Sequence, residues 1–351
     1  MSSFLEDFRT IKPEIDDLLV FCSKANCSDL FIKVGEPPQA YRYGIMYQAV
    51  NIIDDIAWYK FSEKAITSEL NTRYVREKMV DFSYEVKGYR YRVNCSYSRG
   101  KNIATFRMIS TRLPSFETLH LDKSVVGLFE KAFSMKQGIT LLVGATGSGK
   151  TSTLAACINS FSSGYSTRKE LPLKDGHLIT LEDPIEYIFP TLSATRIIQK
   201  ELSKDFMSFE LGIKSALREH PTHILVGETR DKPTIRALVE ASRTGHACIS
   251  TFHTSSVSDT IARLHSYLVG ENKDILFDLI SNLNFINCQK LIKGRKGYTL
   301  CYQYMFFTDY VKKVLVNAIY KGNNVGRTID ALMQSEKMLN AGLCSDWKKN
   351  Q

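Results

Sequence analysis

A mostly apolar run, Ile139 to Val143, passes without a break into GATGSGKT at residues 144–151. No other segment limits the possible folds so strongly. A buried strand followed at once by a glycine-rich turn and the helix-forming TSTLAACINSF predicts strand, loop and helix in that order. The loop satisfies G-x-x-x-x-G-K-[ST] at every fixed position. Gly144, Gly147 and Gly149 free the backbone to turn its N–H groups inward, so Gly144, Ala145, Thr146, Gly147, Ser148 and Gly149 are expected to cradle a polyphosphate at a helix amino end. Lys150 then reaches the β and γ phosphates, and Thr151 ligates Mg²⁺. ATP and Mg²⁺ are the expected ligands.

The chain around this loop divides by pattern. Before residue 112, a helix is expected from about Lys12 to Ala25, a strand in LFIKV and helix over 54–80. A hairpin follows in DFSYEV and YRYRVNCSY, then a strand in ATFRMI, which together make a smaller α+β domain. Pro114 marks a linker. From residue 113 to 351 helices alternate with apolar strands, Ile139–Val143, His177–Leu181, His223–Val226 and Ala247–Ser250, predicting an α/β domain on a mainly parallel sheet. Helix is expected again over 273–291, with YTLCYQYMFF as a hairpin strand and a last helix near 327–340.

Composition narrows the partners. With 46 basic against 37 acidic residues the net charge is +9, but the excess is diffuse, and no aromatic residues interleave with it as a base-stacking platform would require. Direct nucleic-acid binding is not expected. Neither a spanning apolar helix nor a basic signal segment is visible, which predicts a cytoplasmic protein. The eight cysteines lack zinc-ligand spacing and read as reduced, buried thiols.

Phosphoryl transfer to water needs a carboxylate near the metal and an oriented water, at the carboxyl ends of strands beside the loop. Two segments supply one. ILVGETRD places Glu228 after an apolar strand, and TLEDPIE places Glu182 after another. Either alone reads equally well as a solvated turn; beside a complete phosphate loop they become catalytic candidates. TGHACISTFHT brackets a further strand with His246 and His253, both candidates for contact with the nucleotide, His253 towards the γ phosphate.

GATGSGKT, TLEDPIE, ALREHPTHILVGETRD and TGHACISTFHT, in this order, resemble the Walker A, aspartate, Walker B and histidine boxes of the type II/type IV secretion ATPase superfamily, whose PilT-like members power type IV pili. CSDLFIKVGEPP, DFSYEVKGYRYRVNCSY and ATFRMI are similar to that family's amino-terminal strands. The resemblance implies a homo-hexamer in which ATP lies between a PAS-like amino-terminal domain and a RecA-like domain. It also implies that Arg92 and Arg107 approach the nucleotide as catalytic arginines, where a guanidinium would neutralise developing phosphoryl charge.

Departures set the branch. TDYVKKVL at 308–315 replaces the A-I-R-N-L-I segment of retraction motors, and Phe31 and Lys33 replace polar or histidine positions. IDDLLVFCSKANCSDLFI and DLISNLNFINCQKLI look more like DotB and the plasmid-transfer protein TraJ. The resemblance therefore implies a motor of type IVB secretion or conjugation, with type IV pilus retraction as the alternative. Its expected partners are inner-membrane platform or coupling proteins, through which it would associate peripherally with the cytoplasmic face of the bacterial inner membrane.

Overall fold

The computed structural model describes residues 2–109, 112–164, 173, 175–190, 195–268, 273–294, 297–335 and 341–343. The chain forms two compact units. The first comprises Met1–Arg112 with Asp183–Ile188 and Glu201–Met207; the second holds Leu113–Glu182, Phe189–Lys200 and Ser208–Gln351.

In the first unit α1 (Ser2–Thr10) and α2 (Ile15–Lys24) lead into β1 (Asp29–Lys33), β2 (Gln39–Arg42) and β3 (Ile45–Gln48). After α3 (Asp55–Ala65) and α4 (Ser68–Glu77) come β4 (Met79–Val86), β5 (Tyr89–Ser98) and β6 (Lys101–Ile109). Asp54 caps α3 by accepting the Ala57 N–H at 2.8 Å, and Thr67 caps α4. The six strands form one sheet in the order β3-β2-β1-β6-β5-β4, antiparallel throughout. Alternation on β1 and β5 buries Leu30, Ile32, Tyr91, Val93 and Cys95. These join Leu18, Leu19 and Cys22 of α2 and Trp58 and Phe61 of α3 in one core.

β4 ends this sheet, so its outward backbone groups need other partners. The Glu201–Met207 excursion supplies them at Ser83, and the Asp183–Ile188 excursion bonds Glu201 and Arg90. The Glu201 carboxylate, 3% exposed, accepts from the Ser83 N–H at 3.0 Å and the Ile185 N–H at 3.2 Å. Lys204 donates to the Ser83 carbonyl at 2.7 Å and pairs with Glu201 at 2.8 Å. Arg90 donates to the carbonyls of Ile185 at 3.0 Å and Glu186 at 3.4 Å.

The second unit starts with α5 (Lys123–Phe133), β7 (Gly138–Val143), α6 (Lys150–Ser162), β8 (Gly176–Glu182) and β9 (Thr195–Glu201). It continues through α7 (Phe209–Ala216), β10 (His223–Val226), α8 (Lys232–Arg243), β11 (Ala247–Phe252) and α9 (Val257–Leu268). It closes with α10 (Lys273–Asn282), β12 (Leu283–Gly294), β13 (Gly297–Phe306), α11 (Asp309–Tyr320), α12 (Val325–Ser335) and β14 (Ala341–Leu343). Its eight strands order as β14-β13-β12-β7-β11-β10-β8-β9. β7, β10 and β11 are buried at every position, as strands covered on both faces must be. Phe129, Phe133, Leu154, Phe161, Leu142, Ile249 and Phe285 share a core.

One expectation is refined here and another corrected. The sheet is mixed: β12, β7, β11, β10 and β8 run parallel, in keeping with the expected mainly parallel sheet, while β13 and β14 add antiparallel ladders. The helix expected over 273–291 stops at Asn282, and residues 283–294 form a strand beside β7. Tertiary pairing overrides a pattern in which Leu283, Phe285, Ile286 and Cys288 fit either period. The strands β2, β3, β9 and β14 and the helices α1 and α11 are additional to the elements expected. The last helix is described only to Ser335, and the rest of its expected span lies outside the described residues. No described helix is long and apolar enough to cross a membrane, and the seven described cysteines are buried.

Burial pushes the Glu201 carboxyl up, but the bonds from Lys204 and Ser83 outweigh it and hold the group below its ordinary value of 4.5. A carboxylate depressed in the folded state stabilises it above the unfolded pKa, and that contribution is lost as pH falls through the folded value. Glu201→Gln should therefore cost about 1–3 kcal/mol at pH 7 in urea unfolding. The difference from wild type should shrink as the pH drops below about 4.5, and a constant difference down to pH 3 would contradict this role.

Candidate functional site

The loop between β7 and α6 adopts a conformation that only glycine tolerates at its first fixed position. Gly144 has φ 151°, and a Cβ there would lie 2.4 Å from the Gln289 carbonyl and 2.6 Å from the Ser148 hydroxyl. Gly149, at φ 85°, precedes α6 and provides no side-chain cap. The first-turn N–H groups of α6 are thus left to an anion. Thr151 is exposed in that turn.

Lys150 is 8% exposed, and its Nζ donates to the carbonyls of Gly144 at 2.8 Å and Ala145 at 3.0 Å. Desolvation lowers its pKa, against the attraction of Glu228. Phosphate oxygens are the charges such a desolvated ammonium lacks, which is the physical sense in which this loop fits a nucleotide.

The parallel strands bring the other groups to the same end. Val226 of β10 pairs with Leu181 of β8 and Ser250 of β11, while Phe252 of β11 pairs with Val143 of β7. Glu182 and Glu228 therefore leave adjacent strands on the loop's side of the sheet. A Cβ on Gly227 would sit 3.3 Å from the Glu182 Cα, so glycine there lets the two strand ends close up. Glu182 accepts from Thr180 at 2.7 Å and Gln199 at 3.0 Å. The turn carrying Glu228 is pinned to β11: Thr251 donates to the Gly227 carbonyl at 2.6 Å, and Thr229 shares a 2.7 Å hydroxyl contact with Ser250.

His253 joins the two charged groups. Its Nε2 lies 3.0 Å from Glu228 Oε1, and its Nδ1 lies 3.5 Å from Lys150 Nζ. One tautomer satisfies both: Nε2–H donates to the carboxylate while the Nδ1 lone pair faces the ammonium. Desolvation, then the Lys150 charge, pushes this imidazole below its ordinary value of 6.5 despite Glu228. Arg263 fixes the backbone here by donating to the His253 carbonyl at 2.7 Å.

His246 does not belong to this group. Its carbonyl accepts from Gly138 at 3.1 Å, at the amino end of β11, and its ring bonds Thr244 and Ala241. Six residues of strand at about 3.3 Å each separate it from the loop's end by roughly 20 Å. The polarity of a parallel strand excludes it from the nucleotide-contacting set of its own unit.

Arg92 and Arg107 lie in the first unit, directly opposite one another on β5 and β6. Arg107 is exposed and pairs with Asp29 at 3.0 Å, while Arg92 is half-buried. Gln289 belongs to none of the sequence motifs of the site. It is fully buried on β12, with its Nε2 2.8 Å from the Ser148 carbonyl and 3.2 Å from the Thr153 hydroxyl. The helix-like pattern of its segment hides that it adjoins the loop.

A protein family, a relative and two solved structures are similar to this chain over most of its length. The family model described as type II/IV secretion system protein matches residues 6–330. The type IV pilus retraction ATPase PilT of Pseudomonas aeruginosa is 30% identical over 336 residues, covering 92% of this chain and 93% of its own. The X-ray structure of the Legionella pneumophila ATPase DotB superposes with a TM-score of 0.79 at 26% identity, covering 94% of this chain and 89% of that one. The pilus retraction motor PilT with bound ADP gives 0.73 at 26% identity, covering 96% and 97%.

An NMR titration should find His253 with a pKa below 6.5. Replacing Lys150 by Met removes the neighbouring cation and should raise it; Glu228→Gln removes the anion and should lower it further. Shifts of opposite sign would show that the imidazole does not lie between these two charges.

Proposed function

Because the chain belongs to the type II/IV secretion system protein family, we propose that it is a Mg²⁺-dependent ATP hydrolase whose turnover drives domain motion in a secretion or conjugation machine. The contact that carries this reading is the Lys150–His253–Glu228 array, which ties the phosphate loop to a carboxylate at the adjoining strand ends.

The loop amides and Lys150 bind and orient the β and γ phosphates. Thr151 would hold Mg²⁺, which neutralises charge on the phosphate oxygens. Glu228 orients the attacking water and draws on its proton as the water oxygen bonds to the γ-phosphorus and the bond to the ADP oxygen breaks. Neutral His253 orients the Glu228 carboxylate from one side and faces the γ end of the loop from the other. Glu182, restrained by Thr180 and Gln199, is the second carboxylate of the site. Arg92 and Arg107 are proposed to meet the nucleotide of a hexameric ring built from an amino-terminal PAS-like domain and a RecA-like domain.

The type IVB secretion or conjugation role is supported by the similarity to DotB, and peripheral attachment at the inner membrane through platform or coupling proteins follows from that role. Pilus retraction is the second reading, favoured by the 30% identity to PilT across 92% of the chain. Deleting the gene separates them. Loss of secretion or DNA transfer with pilus retraction intact supports the first, and the converse supports the second.

Glu228→Gln should keep ATP binding while hydrolysis falls at least ~100-fold. A parallel loss of affinity would make Glu228 a binding residue instead. Arg92→Ala should reduce kcat roughly tenfold or more while leaving ATP affinity within about threefold, since its contact strengthens in the transition state. Wild-type activity per chain should rise with protein concentration as sedimentation shows assembly; a flat profile over that range opposes the ring.

A further inference from the structure

The strand that the sequence pattern disguises as helix runs directly under the phosphate loop. Cys288 of β12 pairs with Val143, the last residue of β7, so the next residue, Gln289, lies beneath Gly144. The closeness is visible at two glycines: added Cβ atoms would stand 2.4 Å from the Gln289 carbonyl at Gly144 and 3.4 Å from its Nε2 at Gly149. Gln289 is fully buried, and its amide donates upward to the Ser148 carbonyl at 2.8 Å and sideways to Thr153 of α6 at 3.2 Å. Its Oε1 has no partner among the described residues. The polar contacts of this side chain are thus both made by the amide nitrogen, and both go to the loop and its helix.

The Ser148–Gly149 peptide needs such a restraint. One of its two ends is free in the relevant torsion, because Gly149 accepts φ of either sign and its present value is 85°. Rotation of that peptide plane would exchange the positions of the Ser148 carbonyl and the Gly149 N–H. In a trans peptide these two groups point in opposite directions. A carbonyl bonded to Gln289 below the loop therefore leaves the Gly149 N–H facing the other side, whereas the rotated peptide would present a lone pair to an anion.

We propose that Gln289 is a positioning residue of the phosphate loop, holding the Ser148–Gly149 peptide so that it offers its N–H rather than its carbonyl to bound phosphate. The proposal rests on the nucleotide-binding reading and adds to it the group that sets the loop's donor pattern. Phosphate recognition, not recognition of the nucleoside, is what depends on it.

The test compares ADP with adenosine on the full-length chain. Gln289→Leu removes the donor, and Gln289→Met does so while keeping the side-chain length if the leucine variant does not fold. ADP affinity by calorimetry should fall about tenfold, the scale of one lost buried hydrogen bond, while adenosine binding by saturation-transfer NMR stays within twofold. Gln289→Glu adds a readout that simple loss of packing would not move. Its carboxylate repels the Ser148 carbonyl, but its protonated form can donate, so its ADP deficit relative to wild type should narrow as pH falls from 8 towards 5. ADP affinity within twofold of wild type in a folded Leu or Met variant would overturn the proposal. So would equal losses for ADP and adenosine, or a Gln289→Glu deficit independent of pH. Lys150→Ala run in parallel separates the two levels. If it binds ADP like wild type, the phosphate-loop reading itself fails; if it loses ADP and the Gln289 variants do not, only the role of Gln289 fails.

Discussion

Removing an ammonium from water is costly unless other groups replace the lost hydration, and Lys150 meets that condition through backbone as much as through charge. The carbonyls of Gly144 and Ala145 accept its hydrogen bonds, the Glu228 charge offsets the effect of desolvation, and His253 stands between the lysine and that glutamate. Each of these groups requires a particular architecture. The carbonyls exist in the right place only because Gly144 tolerates its φ. Glu228 and His253 converge only because β10, β11 and β7 run parallel and end together. The lysine, in this sense, explains why the sheet centre must be parallel even though its margin is not.

The same arrangement shows where sequence patterns suffice. The four apolar strands expected from the sequence are observed within one or two residues of their expected ends, since continuous burial on both faces leaves an unbroken apolar signature. β12 breaks that signature with Asn287 and Gln289, and those polar residues are why it reads as something else. Asn287 and Gln289 are almost wholly inaccessible, so a strand neighbouring the phosphate loop departs from the local rule where it serves the loop. The two histidines around β11 illustrate another limit. Spacing alone treats them alike, and only the direction of the strand separates His253 from His246.

Contacts between distant segments carry no periodic signal. Arg90 reads as one more polar residue of a hairpin, and Glu201 lies in no element expected from the sequence, yet they meet residues about a hundred positions away. Neither pattern nor propensity could place the stretch after Glu182 in the first unit. The helix cap at Asp54, by contrast, is local in cause and stands at the expected start of its helix, whereas the cap at Thr67 divides the span 54–80 expected as helix into α3 and α4.

The edge of β4 has a consequence for how this chain can be divided. The groups that satisfy Ser83 come from residues 201 and 204, well past the point at which the first unit's continuous sequence ends. A fragment cut at residue 112 would keep its core but expose an unprotected strand edge, the kind of surface on which chains pair with one another and come out of solution. The first unit is thus not a continuous module of the sequence, since residues 183–188 and 201–207 belong to it. Exchange of the amino-terminal region with that of a relative would have to carry both distant excursions along with it.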